Sequence, residues 1–236
     1  MNARVFEPLL ASLDSEFTAI NPGLPGYVDS PWRFETSFEA QLQRMGGDLP
    51  PGRLMGWSMG GLYAIELALR HPEKFSELIL VASNPCFVTR SDWNCAIDAA
   101  VLDTFAEDMQ LHRQRTLRRF LALQMQGESD ARTITRDLWQ RIVEVGEPDL
   151  AVLRFGLDLL RHQDLRDALA RLEQPVSLIL GERDKLVPIG LRQQISDVAP
   201  GIRVESVAGA AHAPFISNPG AIVAQLQAGV PGNQKI

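Results

Sequence analysis

Cysteine is scarce in this chain of 236 residues: Cys86 and Cys95 are the whole supply. Neither stands among further Cys or His residues at metal-ligand spacing, so the expectation is two reduced structural thiols, with no disulfide framework and no zinc site. Long apolar runs are missing, and no segment reads as a membrane span. The first residues carry only Arg4 ahead of Glu7 and lack the apolar stretch of a secretory signal, from which a cytoplasmic location is expected. Positive charge is in deficit. A formal net charge of −6 argues against general nucleic-acid binding. Internal repeats and low-complexity tracts are absent, and nothing in the sequence implies a metal ion or an organic cofactor.

What is present is the composition of an ordinary folded chain, with 45% apolar and 22% charged residues. A chain this long buries about 70% of its unfolded surface or more, enough for one α/β domain with an insertion. Helical and strand patterns alternate: a helix near 3–13, a strand Phe17 to Ile20, a Gly/Pro loop 21–31, and a helix carrying Phe34, Phe38, Leu42 and Met45. Leu78 to Val81 and Val176 to Leu180 are continuous apolar runs, as strands of a parallel sheet covered on both faces should be. Residues 85–163 lack that alternation and show helical patterns rich in Leu, Arg and Gln. The prediction is therefore a core made of 1–84 and 164–236, with 85–163 as a helical cap over the sheet. A strand Ile202 to Val207 and a last helix from Pro219 to about Leu226 restore the alternation at the end.

The densest information lies in Gly56-Trp57-Ser58-Met59-Gly60-Gly61. A bare G-x-S-x-G arises by chance in roughly one chain in ten of this length, so context has to carry it. Asp48 to Gly52 reads as a turn and Arg53-Leu54-Met55 as a short buried strand; Leu62, Ile65 and Leu69 then recur at helical spacing until His71-Pro72. A serine between a strand and a helix is the nucleophile elbow, and a side chain at either flanking glycine is expected to collide with its neighbours.

Ser58 needs a base to take its proton and a carboxylate to orient that base. His71 lies at a helix end, while His112 and His162 fall in the helical insertion. His212, in Gly209-Ala210-Ala211-His212-Ala213-Pro214-Phe215, follows the last strand and emerges at the carboxyl edge of the sheet. The carboxylate candidate is Asp184, just past another strand, with Glu182 as the fallback. The order Ser58, Asp184, His212 is that of α/β-hydrolases.

Several stretches are more particular: Val81-Ala82-Ser83-Asn84-Pro85-Cys86-Phe87, Arg119-Phe120-Leu121-Ala122-Leu123-Gln124, Asp164-Leu165-Arg166 and Ala210 to Ile216. With the elbow, they make nearly the whole chain resemble the carboxylesterases of biotin synthesis, an α/β-hydrolase family that cleaves the methyl ester of pimeloyl-acyl carrier protein. That resemblance implies Ser58 as nucleophile, Asp184 as orienting acid and His212 as base. It further implies Met59 as a backbone donor to the oxyanion, and Trp57 with Phe120, Leu121, Ala122, Leu123 and Gln124 as the substrate-binding residues.

Charge gives a separate indication. Arg113, Arg115, Arg118 and Arg119 crowd together in an acidic protein; Arg115, Arg118 and Arg119 share one helix face, and Arg132 and Arg136 another. An acidic partner fits. The resemblance makes that partner acyl carrier protein, with Arg115, Arg119, Arg132 and Arg136 at the contacting positions and Arg118 an addition of this chain.

The same resemblance implies a second oxyanion donor from a His-Gly-Trp-Gly loop, and no such segment occurs here. Met1 to Leu9 look like the helix that follows that loop. The expectation is that Met1 is an internal methionine and that the working enzyme is longer. Hydrolysis of another small ester, a thioester or a carbon–carbon bond stays open, because fold and triad do not fix the substrate. So does a non-catalytic ligand or carrier binder.

Overall fold

In the computed structural model, which describes residues 2–146 and 148–228, the sheet is built from β1 (Gly52–Trp57), β2 (Phe75–Val81), β3 (Val176–Gly181) and β4 (Arg203–Val207). These four lie in the order β1-β2-β3-β4, and each pair of neighbours is parallel. The apolar runs explain why the sheet is covered on both faces. Period-2 alternation sends Leu78, Leu80, Leu178 and Leu180 into one buried cluster and Ile79, Val81 and Ile179 into a second.

The first cluster is completed by the connecting helices. α2 (Phe38–Asp48) contributes Leu42 and Met45, α3 (Gly60–Arg70) contributes Leu62 and Ile65, and α9 (Leu191–Val198) contributes Leu191 and Ile195. On the opposite face a 3₁₀ turn (Ala3–Phe6), α1 (Glu7–Leu10) and α11 (Pro219–Ala228) supply Val5, Leu9, Ile222 and Leu226. At the start of α2 the Ser37 hydroxyl accepts from the Ala40 N–H, the capping chemistry expected of a serine there. Phe34 therefore precedes this helix instead of lying in it.

Between β2 and β3 the chain forms α4 (Ala99–Leu111), α5 (Arg113–Gln124), α6 (Ala131–Val145) and α7 (Leu150–His162). The two ends of this helical segment meet. Cys86 and Asp164 form an isolated antiparallel bridge, and the Leu165 N–H donates to the Pro85 carbonyl at 2.8 Å. α8 (Arg166–Ala170) then leads into β3, and the short α10 (Pro214–Ser217) precedes α11.

The strand expected at Phe17 to Ile20 does not form; those residues are irregular. A strand exists only through lateral hydrogen bonds, and among the described residues nothing pairs with this one. A cavity of about 560 Å³ lined by Phe17, Ile20, Met55 and Trp57 lies between that segment and β1. Because Gly52 N–H and Ser58 N–H both point to the β2 side, the main-chain groups of Arg53, Met55 and Trp57 face the other way, along an edge with no partner strand among the described residues.

Candidate active site

The elbow is held in a costly shape. Ser58 has φ +52°, in the left-handed region that a serine seldom occupies, which costs on the order of 1 kcal/mol or more. Two bonds over-determine it: the Ser58 N–H donates to the Val81 carbonyl at 3.0 Å, and the Ser83 hydroxyl donates to the Ser58 carbonyl at 2.8 Å. The result is a hydroxyl at the mouth of α3, just past the carboxyl end of β1.

Glycine is required around it, but not at both flanking positions. A Cβ on Gly56 would lie 2.7 Å from the Gly60 carbonyl oxygen and the Gly61 Cα, whereas one on Gly60 would meet nothing within 4 Å. The second close approach belongs to Gly61, where a Cβ would come within 2.6 Å of the Ser83 Cβ. The expectation for Gly60 is thus corrected: the strand–helix crowding falls one residue later, against the end of the neighbouring strand.

The structure brings Ser58, His212 and Asp184 together. His212 Nε2 is 2.9 Å from Ser58 Oγ, and His212 Nδ1 is 2.8 Å from Asp184 Oδ2. An ionised carboxylate only accepts, so the Nδ1 position carries the proton and Nε2 is left to accept from the serine hydroxyl. Both partners are sealed from water, with side-chain exposures of 1% for His212 and 0% for Asp184. The remaining Asp184 oxygen accepts the N–H groups of Leu186 at 2.8 Å and Val187 at 3.0 Å, so the loop after β3 aims the carboxylate. Glu182, the fallback, is exposed and accepts from the Gly209 N–H at 3.2 Å, away from the imidazole.

Trp57 does more than line the site. Its indole N–H donates to the His212 carbonyl at 2.8 Å, tying the residue before Ser58 to the loop that carries the imidazole. Beside Ser58 a cavity of about 160 Å³ is lined by Trp57, Met59, Phe105, Phe120, Leu121 and Gln124, among others. It is largely apolar, and two of its polar groups stand out. The Gln124 side-chain oxygen is buried and has no hydrogen-bond partner among the described residues. The Tyr27 phenol is pushed up to about 12 by burial, with Asp29 adding to the effect, so it remains a neutral hydroxyl at neutral pH. The N–H of Met59 makes no backbone hydrogen bond among the described residues, which leaves a donor at the N-terminus of α3.

Ala122 and Leu123 do not line this cavity, a correction to the run Phe120 to Gln124. A helix turns about 100° per residue, so Phe120, Leu121 and Gln124 share the inner face of α5 while Ala122 faces outward with Arg118, and Leu123 is 38% exposed. On that outer side lies an open groove of about 450 Å³ lined by Arg118, Ala122, Ala131, Arg132, Thr135, Arg136 and Trp139. The Arg118 guanidinium stacks 4.5 Å over the Trp139 ring. Arg115 and Arg119 lie outside the groove lining and are exposed; Arg119 reaches Asp108 at 3.6 Å. No group of three or more His, Cys, Asp or Glu among the described residues is placed to hold a metal ion.

Comparison with known proteins completes the picture. The alpha/beta hydrolase fold family matches residues 5–219. A pimeloyl-(acyl-carrier protein) methyl ester esterase from Klebsiella pneumoniae is 39% identical over 229 residues, covering 97% of this chain and 89% of that protein. This chain belongs to the α/β-hydrolase family. Within it the chain groups with the pimeloyl-(acyl-carrier protein) methyl ester esterases. The homologue from Edwardsiella ictaluri is 40% identical over 227 residues, 96% of this chain and 88% of its own length. The Xylella fastidiosa protein is 35% identical over 230 residues, 96% of this chain and 90% of its own length. Solved structures extend the likeness of fold. An esterase from Exiguobacterium antarcticum superimposes with a TM-score of 0.83 at 21% identity, covering 96% of this chain and 87% of that one. A hydrolase from Oleispira antarctica gives 0.85 at 18% identity, covering 98% and 88%. As a member of this esterase group, the α/β-hydrolase is a carboxylic ester hydrolase.

Proposed function

We propose that this α/β-hydrolase cleaves the methyl ester of pimeloyl-acyl carrier protein to the free acid and methanol, the activity named for its relatives. The observation that carries the reading is the unbroken hydrogen-bond chain from Asp184 through His212 to Ser58, opening on an apolar cavity whose wall is α5. His212 Nε2 takes the proton as Ser58 Oγ bonds to the ester carbonyl carbon. The Met59 N–H supports the negative charge that develops on the carbonyl oxygen; one such donor is typically worth about 2.7–4 kcal/mol. Methanol leaves with the proton from the imidazolium, and a water deprotonated by His212 then releases the acid and frees Ser58. The Gln124 oxygen, without a hydrogen-bond partner among the described residues, offers an acceptor in a largely apolar channel for the acyl chain.

Residues 85–163 serve as the cap in this reading, and α5 carries two functions on opposite faces. Leu117, Phe120, Leu121 and Gln124 meet the acyl chain; Arg115, Arg118 and Arg119, with Arg132 and Arg136 from α6, meet the acidic carrier protein. Complementary charge across such a surface raises association rate more than it raises turnover.

The test uses pimeloyl-acyl carrier protein methyl ester and a small ester such as p-nitrophenyl butyrate. Ser58→Ala should abolish methanol release and labelling by a fluorophosphonate. Raising ionic strength should lower kcat/KM on the carrier-linked ester several-fold more than on the small one. Equal falls would remove the arginines from carrier docking, and a wild-type protein that is folded yet unlabelled would remove the nucleophile.

A further inference from the structure

The loop that carries His212 is tied to the helical segment, not only to the sheet. The His212 N–H donates to the Gln124 carbonyl at 3.0 Å, and the Arg183 guanidinium donates to the Gly127 carbonyl at 2.7 Å. A single oxygen of Glu128, in the turn between α5 and α6, accepts twice. It takes the Ala211 N–H at 2.6 Å and the Ser217 hydroxyl at 2.9 Å. Ala211 immediately precedes the imidazole and Ser217 ends the short helix that follows it, so one carboxylate oxygen clasps both ends of the segment bearing His212. Ala211 is 1% exposed. Without the carboxylate the Ala211 N–H loses the acceptor that the structure gives it, and the cost of leaving a buried donor unpaired favours a shift of this backbone.

We propose that Glu128 is a positioning residue for His212, holding the imidazole in line with Ser58 and coupling its alignment to the seating of the helical segment. The proposal rests on the reading of His212 as the base. Glu128 is remote from the reacting atoms and acts through the backbone. A displacement of about 1 Å in a catalytic group can cost as much as about 100-fold, so a partial loss of alignment is readily measured.

Three variants of the full chain separate reach from charge. Glu128→Gln keeps an oxygen at the same reach and removes the charge; Glu128→Asp keeps the charge and withdraws it by one methylene; Glu128→Ala removes both. On p-nitrophenyl butyrate, Glu128→Ala should lower kcat and the rate of fluorophosphonate labelling about tenfold, with KM within about twofold. Glu128→Gln should recover most of that loss and exceed Glu128→Asp. The proposal is overturned if Glu128→Ala matches wild type, if the loss falls on KM alone, or if Asp outperforms Gln. Should Glu128→Ala fail to fold, the ranking of Gln and Asp decides. Failure of the base assignment itself has a different signature, because His212→Ala would then keep the labelling rate of wild type.

Discussion

The indole N–H of Trp57 donates to the carbonyl oxygen of His212 at 2.8 Å, so the strand that presents Ser58 also grips the loop that presents the imidazole. Trp57→Phe keeps a ring against Phe6 and Phe215 but removes that donor. A hydrogen bond of this kind is worth about 1 kcal/mol, and kcat on a small ester should fall about fivefold with KM nearly constant. Unchanged kcat in Trp57→Phe would show that the indole serves only to line the cavity.

The two carboxylates after β3 should behave very differently. Asp184→Asn preserves size but loses the acceptor that fixes the imidazole tautomer, so kcat should fall by about 10⁴. Glu182→Gln should stay within about twofold of wild type, since Glu182 is exposed and its carboxylate accepts from the Gly209 N–H, away from the imidazole. Steady-state kinetics on p-nitrophenyl butyrate separates them, and a severe loss in Glu182→Gln alone would reverse the assignment.

Adjacent glycines give a sharper contrast. Gly60→Ala places its methyl in open space at the first position of α3 and should leave the thermal midpoint and kcat close to wild type. Gly61→Ala forces its Cβ to 2.6 Å from the Ser83 Cβ, and Ser83 in turn holds the Ser58 carbonyl. Overpacking of this sort costs about 1–3 kcal/mol, and the elbow should lose activity together with stability. Equal tolerance at both positions, measured by thermal melts and turnover, would contradict the packing.

These cases also mark how far the sequence could be read. Ser58, Asp184 and His212 were legible because each follows a recognisable strand and so reaches the same sheet edge, where chain order alone narrows the partners. Gly61 was hidden because its collision is with Ser83, a residue from the neighbouring strand end. Ala122 and Leu123 were placed with Phe120 as one motif; only the observed span of α5, Arg113–Gln124, fixes which residues turn inward. Phe17 to Ile20 looks like a strand in composition, yet being a strand depends on a lateral partner. Glu128 carried no signal, since its contact with Ala211 spans 83 residues of chain.

Stability should depend on pH through the base of the helical segment. The Arg166 guanidinium, hydrogen-bonded to Asp164 at 2.7 and 2.8 Å, holds the Asp164 carboxyl below the usual carboxylate range. A carboxyl with a lowered folded-state pKa stabilises above its unfolded value of about 3.9, and that contribution disappears as pH falls through the lower folded value. Wild type should therefore have a higher urea midpoint than Asp164→Asn at neutral pH, with the gap closing as acidification carries the protein below the ordinary carboxylate range. A gap that stays constant through that acidification would locate the effect in packing instead of charge. The side chain is partly exposed, so the gap should be modest.

The one-sided bonding of β1 has a mechanical consequence for the elbow at its end. Arg53, Met55 and Trp57 direct their main-chain groups along an edge with no partner strand among the described residues, so β1 is braced laterally by β2 alone. Ser58 thus sits at the tip of a cantilever whose main-chain bracing is the ladder to β2, supplemented by the Ser83 hydroxyl and by the Trp57 indole bonded to the His212 carbonyl. Amide exchange on this strand should report the asymmetry residue by residue, with fast exchange at Met55 and Trp57 alternating with protection at Leu54 and Gly56.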